Sequence, residues 1–288
     1  SVIIDTFDLP LRYDFEHYEL NETGKYQVFF EETQGTALFK QYIWASGNSG
    51  FALTGVGRNP QEYPTVSIEN GIDGSRAIKL ETKSTGQFGE TVKMPIAAGN
   101  LFLGSFDVNN AVQKPLKATR FGLPFGKKPL QLKGYYKYTP GTQPFKAKDK
   151  NGNTVTIPGQ EDEGDIYAVL YEAAELDGQA LDGNNVLTSE NIVALARVEV
   201  EKKDEFTAFH VDFHYGSRIP IDWPKFIRDQ RDPSDDGTAP YLSFSEEKMK
   251  NYEYNLAVVF TSSKYGAYFA GSVGSTLCID KVEIVCEK

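Results

Sequence analysis

The stretch "FHVDFH" places two of the chain's three histidines on either side of an aspartate. In an extended strand Phe209, Val211, Phe213 and Tyr215 point one way, and His210, Asp212 and His214 point the other, about 6–7 Å apart along the strand. Such a row offers imidazole and carboxylate groups to a polar ligand. A zinc site is a poorer fit, because its ligands converge on the ion from more than one element. The remaining reading is a plain solvated face.

A second candidate is the closing segment "LCIDKVEIVCEK". Strict alternation puts Cys278, Val282, Ile284 and Cys286 on one face, and Asp280 falls in that apolar row. An unpaired carboxylate there is costly. A structural Ca²⁺ ion would satisfy it with six to eight oxygens, and Glu16 in "RYDFEHYE" and Asp73 in "ENGIDGSRAIKL" are the partners this expectation names. The alternatives are a basic partner or a β-bulge that turns Asp280 to solvent.

A third set is aromatic. Sugar rings are held by aromatic platforms ringed with amides and hydroxyls. "YIWASGNSG" sets Trp44 near Asn48, and "SSKYGAYFAGS" sets Tyr265 and Tyr268 among small residues. Trp44, Asn48, Tyr265, Tyr268, His210, Asp212 and His214 are therefore the expected carbohydrate-binding residues, against the plainer reading that aromatics of a β-sandwich fill its core. Covalent catalysis has no support: no nucleophile elbow, metalloprotease helix, phosphate loop or dinucleotide fingerprint is present. Glycoside hydrolysis needs two carboxylates, and Glu161, Asp162, Glu163, Asp165, Glu172 and Asp212 are all available, so no pair is singled out as catalytic.

The elements that must position these groups are strands. Apolar residues recur with period two over 77–82, 101–108, 130–138, 165–173, 192–199, 206–215, 254–262 and 277–286, separated by Gly, Pro, Asn and Asp clusters. "DKNGNTV" suits a tight hairpin, and short helices are expected only at 245–252 and 223–230. This is an all-β sandwich or barrel. The 288 residues, 40% hydrophobic and 24% charged, suit one large domain covering 1–288, with the membership of 1–41 the least defined.

The net charge of −10 argues against nucleic acid as a general partner. Between residues 108 and 148 the balance reverses, with nine Lys or Arg and no acid. That segment is either a solvated basic face or a patch for anionic glycans. No run is long and apolar enough to span a membrane. The two cysteines, about 26 Å apart if extended, are expected to be free thiols.

In order along the chain, "WASGNSGFAL", "AIKLETKSTGQFG", "MPIAAGNLFLGSFDV", "LKGYYKYTPG", "DIYAVLYE", "NIVALARVEV" and "YNLAVVFTSSKYGAYFAGSVGSTLCIDKVEIV" resemble the putative carbohydrate metabolism domain family of Bacteroidetes surface proteins. The resemblance implies a jelly-roll sandwich of two antiparallel sheets, similar to non-catalytic carbohydrate-binding modules. It also implies an extracellular or cell-surface setting, with a lipid anchor expected upstream of this segment. More distantly, "DFEHYE" and "LCIDKVEI" are similar to the ends of galactose-binding-like modules, whose acids often hold calcium, though Lys281 stands where a second Asp is common. The expected function is glycan binding by a monomeric, non-catalytic module. The alternatives are a glycoside hydrolase or polysaccharide lyase on the same scaffold, and a structural adhesin domain.

Overall fold

The computed structural model describes residues 8–33, 39–177 and 179–288. Two antiparallel sheets face each other as a jelly-roll β-sandwich. The six-stranded sheet runs in the order Lys203–Asp212, Pro129–Thr139, Thr276–Cys286, Ala77–Glu81, Thr65–Ile68, with Arg12–Tyr13 also pairing with the closing strand. The nine-stranded sheet is built around Asn100–Phe106, Tyr254–Thr261, Asp165–Glu172 and Ile192–Val198. Leu101, Leu103, Ile166, Ala168, Leu170, Leu256, Val258 and Phe260 meet Ile78, Leu80, Leu132, Tyr136, Leu277, Ile279, Val282 and Ile284 between them.

All eight segments with period-two patterning are strands, and the 146–156 hairpin forms between Lys146–Lys148 and Thr154–Thr156. Both expected helices exist in shortened form, as Lys225–Arg228 and Glu246–Lys250, and two further short helices occupy Asn48–Ala52 and Gly86–Thr91. Of the described residues before 41, Tyr13, Phe15 and Phe29 sit in the common core. Both cysteines are free.

The nine-stranded sheet is buried on both faces. All eight residues of Asp165–Glu172, "DIYAVLYE", are buried: Ile166, Ala168 and Leu170 point into the sandwich, and Tyr167, Val169 and Tyr171 point outward. A second layer covers that outward face, contributed by Val186, Leu187, Ile219, Ile221, Trp223 and Tyr241. Loops cannot cover a sheet unless their backbone groups are satisfied. Arg218 supplies part of this, donating to the carbonyls of Leu187 at 3.1 Å, Ser189 at 2.6 Å and Ala239, with its guanidinium 4.8 Å from the Tyr241 ring.

The closing strand departs from strict alternation. Lys133 faces Glu283 and Tyr135 faces Asp280, so Lys281 and Val282 together oppose Gly134, and Lys281 has φ 46°. This β-bulge switches which residues face the core, from Leu277 and Ile279 before it to Val282 and Ile284 after it. Cys278 and Asp280 therefore lie on the opposite face from Val282 and Ile284, which corrects the single row expected from the sequence. The bulge does not expose Asp280. The 71–75 turn covers it: Asp280 Oδ2 accepts from the Ile72 N–H at 2.7 Å and the Ser75 hydroxyl at 3.1 Å, and Oδ1 accepts from the Lys281 N–H at 2.7 Å. Gly71 is required here, because a Cβ would stand 2.6 Å from Asp280 Oδ2.

Glu16 and Asp73 surround the same turn. Glu16 accepts the Arg76 N–H at 3.1 Å, and Lys281 Nζ lies 3.3 Å from Asp73 Oδ2. Glu16, Asp73 and Asp280 are thus brought around one turn, where each faces N–H, O–H or ammonium donors of the protein itself. Among the described residues, no three His, Cys, Asp or Glu side chains group so as to hold a metal ion.

Two further buried acids brace the fold. Asp162 Oδ2 accepts from the hydroxyls of Ser263 and Ser275 at 2.6 and 2.7 Å and from the Ser272 N–H at 2.8 Å, tying the 262–275 loop to the sandwich. Burial nevertheless pushes its carboxyl up to about 6. Glu31 accepts the Trp44 indole N–H at 2.9 Å, and burial, aided by the charges of Asp14 and Glu16, pushes it up to about 7.

Asp280→Ala leaves the Ile72, Ser75 and Lys281 donors without their acceptor, and a loss of about 3 kcal/mol is expected in urea unfolding. Melting in calcium and in EDTA tests the ion expected at this turn: a higher midpoint in calcium would establish it, and equal midpoints would exclude a stabilising one. For Glu31, the folded state holds its proton at pH values where the unfolded chain has released it, so its contribution to stability falls as pH rises between its ordinary value of 4.5 and about 7. Glu31→Gln keeps an acceptor for Trp44, and its fall in stability across that window should be smaller than the parent's by roughly 3 kcal/mol.

Candidate functional site

Over one end of the nine-stranded sheet's outward face lies a cavity of about 200 Å³. It exceeds the ~150 Å³ apolar cavity that admits a benzene ring. Its floor is the sheet itself, with Phe102, Phe121, Tyr167 and Val259, and its walls are loops and short helices.

One wall is aromatic and polar. Trp223 and Tyr265 have ring centroids 6.4 Å apart, and the Arg231 guanidinium lies 4.3 Å from the Trp223 ring. Burial, with Glu163 adding to it, pushes the Tyr265 phenol up to about 12, so its O–H is intact at neutral pH. At the floor, Arg197 grips Asp165 through two bonds, Nε to Oδ1 at 3.0 Å and Nη2 to Oδ2 at 2.7 Å. Arg231 donates to the Tyr268 hydroxyl at 2.6 Å and to Asp235 Oδ2 at 2.8 Å, and Lys264 pairs with Glu163 at 3.0 Å. Each cation around the cavity is thus matched by a carboxylate.

The opposite wall is apolar. It comes from the helix Asn48–Ala52, the helix Gly86–Thr91 and the segment after Asn100–Phe106, which bring Phe51, Phe88, Val92, Phe106 and Val112 to the lining. Two polar atoms of lining residues, Trp223 Nε1 and Thr119 Oγ1, are buried without any hydrogen-bond partner. Orphaned donors of this kind are rare in native interiors, and each calls for an explanation such as an absent ligand or water.

The structure separates the residues that the sequence suggested. Tyr265 and Tyr268 line the cavity, Tyr268 as part of the wall braced by Arg231. Trp44 lies outside the cavity lining: it is 5% exposed and packed among Tyr13, Phe15 and Phe260 in the main core. Asn48 lines no ligand surface either, because it is buried and its amide is spent on the backbone of Thr65, donating at 2.8 Å and accepting at 3.1 Å.

The histidine row is also broken. His210 and Asp212 lie on the outer face of the six-stranded sheet, across the sandwich from the cavity, where Asp212 accepts from Gln131 Nε2 at 2.8 Å. The chain crosses between sheets at Phe213, so His214 pairs with Leu195 of the nine-stranded sheet instead. All three side chains belong to exposed residues, and none lines the cavity.

The basic residues of 108–148 are likewise dispersed. Arg120 is paired with Asp107 in the nine-stranded sheet and Lys128 with Glu287, whereas Lys133 and Lys137 lie on the six-stranded sheet and Lys146 and Lys148 on the small hairpin. No helix among the described residues is long and apolar enough to cross a membrane. Of the carboxylates considered for hydrolysis, Asp165 lines the cavity and is held by Arg197. Trp223, Arg197 and Arg231 were not singled out from the sequence. The usable signal was that the chain has only two tryptophans, one of which ends the Pro-flanked alternation Ile219, Ile221, Trp223.

A comparison with curated proteins finds no match. Among solved structures, the chain is similar to a putative glycoside hydrolase from Bacteroides thetaiotaomicron, with 42% identity, a TM-score of 0.78, and 98% of this chain covered against 72% of that one. It is also similar to a putative glycoside hydrolase from Bacteroides vulgatus, with 35% identity, a TM-score of 0.76, and 97% and 99% coverage. The chain belongs to the family described as putative carbohydrate metabolism domain, whose model matches residues 14–285.

Proposed function

We propose that the cavity over the nine-stranded sheet binds a saccharide, and that the chain acts as a carbohydrate-recognition domain in a secreted or cell-surface setting. The observation that carries this reading is the pair of orphaned buried donors, Trp223 Nε1 and Thr119 Oγ1, in a cavity walled by Trp223, Tyr265, Phe102 and Tyr167. Sugars pair apolar ring faces with acceptor oxygens, and the rings and unpartnered donors around the cavity suit both. The matching of Arg197, Arg231 and Lys264 with carboxylates favours a neutral sugar over an anionic one.

Hydrolysis is the second reading, supported by the description given to the two Bacteroides relatives. It requires two carboxyl groups about 5–9.5 Å apart across the scissile bond. Among the described lining residues Asp165 is the one carboxylate, and both of its oxygens are engaged by Arg197. Binding is therefore the reading we adopt.

Calorimetry across a panel of neutral oligosaccharides and uronates should find a neutral ligand. Trp223→Phe, which keeps a ring and removes the N–H, should weaken it roughly three- to tenfold with little change in melting temperature. An unchanged affinity in that variant, or no neutral ligand in the panel, would overturn the proposal. Incubation with the same polysaccharides and with chromogenic glycosides should release no reducing ends or chromophore, and release abolished by Asp165→Asn would establish the second reading instead.

A further inference from the structure

The cavity is more apolar than a bare sugar requires. Trp223 and Tyr265 stand on one wall, and the other is dominated by Phe51, Phe88, Val92, Phe106 and Val112, with Thr119 beside Phe106 and with Thr54, Thr85 and Asn100 as its other polar side chains. This wall is tightly built: a Cβ on Gly50 would lie 3.1 Å from the Phe106 ring, and one on Gly86 would lie 2.9 Å from Val56 Cγ2. It also reaches solvent: Phe88, a lining residue, is 39% exposed, and Leu53 and Val56, just after the helix Asn48–Ala52, and Val108, just after Asn100–Phe106, are exposed apolar residues next to lining segments. Large apolar side chains left in water around a cavity mouth mark a binding surface when they are contiguous with a site.

The geometry points to an amphipathic ligand: a neutral sugar carrying an apolar substituent, an aryl or alkyl group, with the sugar against Trp223 and Tyr265 and the substituent against Phe88 and Val92. This rests on the saccharide reading and extends it. A substituent in that position removes apolar surface from water on both partners, which favours binding in proportion to the area covered. Phe88, at the mouth and away from Asp165 and Arg197, becomes the residue that sets specificity for the substituent.

The test uses the whole chain and the neutral sugar identified by calorimetry, measured as its methyl, phenyl and octyl glycosides. The phenyl or octyl glycoside should bind on the order of tenfold more tightly than the methyl glycoside. In Phe88→Ser that ratio should fall to near one. If the sugar binds but its phenyl and octyl glycosides are no tighter than the methyl glycoside, the amphipathic inference is overturned and the saccharide reading stands. A ratio that Phe88→Ser leaves at its parental value also overturns it. If benzyl alcohol and octanol bind where no sugar does, the saccharide reading itself is overturned, and this inference falls with it.

Discussion

The architecture depends on burying the nine-stranded sheet twice. A strand such as Asp165–Glu172 with no solvent-facing side must be covered by the opposing sheet on one face and by something else on the other. In this chain the second cover is made of loops, whose polar backbones have to be satisfied without the help of ladders. Arginines do much of that: Arg218 bonds three carbonyls, and Arg231 bonds the Tyr268 hydroxyl, Asp235 and the Asn184 carbonyl while stacking on Trp223. The cavity is the part of that outward face which the covering loops do not fill.

The same constraint explains the charges at the cavity floor. Asp165 begins the fully buried strand and Arg197 lies near the end of its neighbour, with Tyr167 and Arg197 directly paired across the ladder. A carboxylate and a guanidinium that must both leave water hold one another in bidentate geometry, which satisfies both oxygens of the acid. An acid held in this way orients its partner. It is poorly placed to donate or accept a proton in the chemistry expected of a free carboxyl.

Much of the fold was legible because period-two alternation is imposed by one buried face, and all eight segments that carry it are strands. Asp165–Glu172 was legible as a strand but not as one buried on both sides, since a continuous apolar run does not say what covers its second face. The bulge at Lys281 was legible only as one alternative for Asp280: no glycine marks it, and the pairing of Lys133 with Glu283 and of Tyr135 with Asp280 is what locates the extra residue. The two tryptophans show why the site was hard to place. Trp44 sits beside polar, Gly-rich neighbours and is core, whereas Trp223 follows an apolar covering segment and lines the cavity. Local sequence reports what surrounds a residue along the chain, and a platform is defined by what surrounds it in space.

The contact between Asp280 and Ile72 spans 208 residues, and it belongs to the strand that occupies the middle of the six-stranded sheet. That central strand is the last strand of the domain in chain order, with Pro129–Thr139 and Ala77–Glu81 on either side of it. Until it arrives, both neighbours present open ladder edges, and the apolar face they share has no lining between them. Ordering of this sheet is therefore a late, long-range event. A chain cut before Thr276 therefore keeps most of the sequence of both sheets and loses the strand that joins Pro129–Thr139 to Ala77–Glu81.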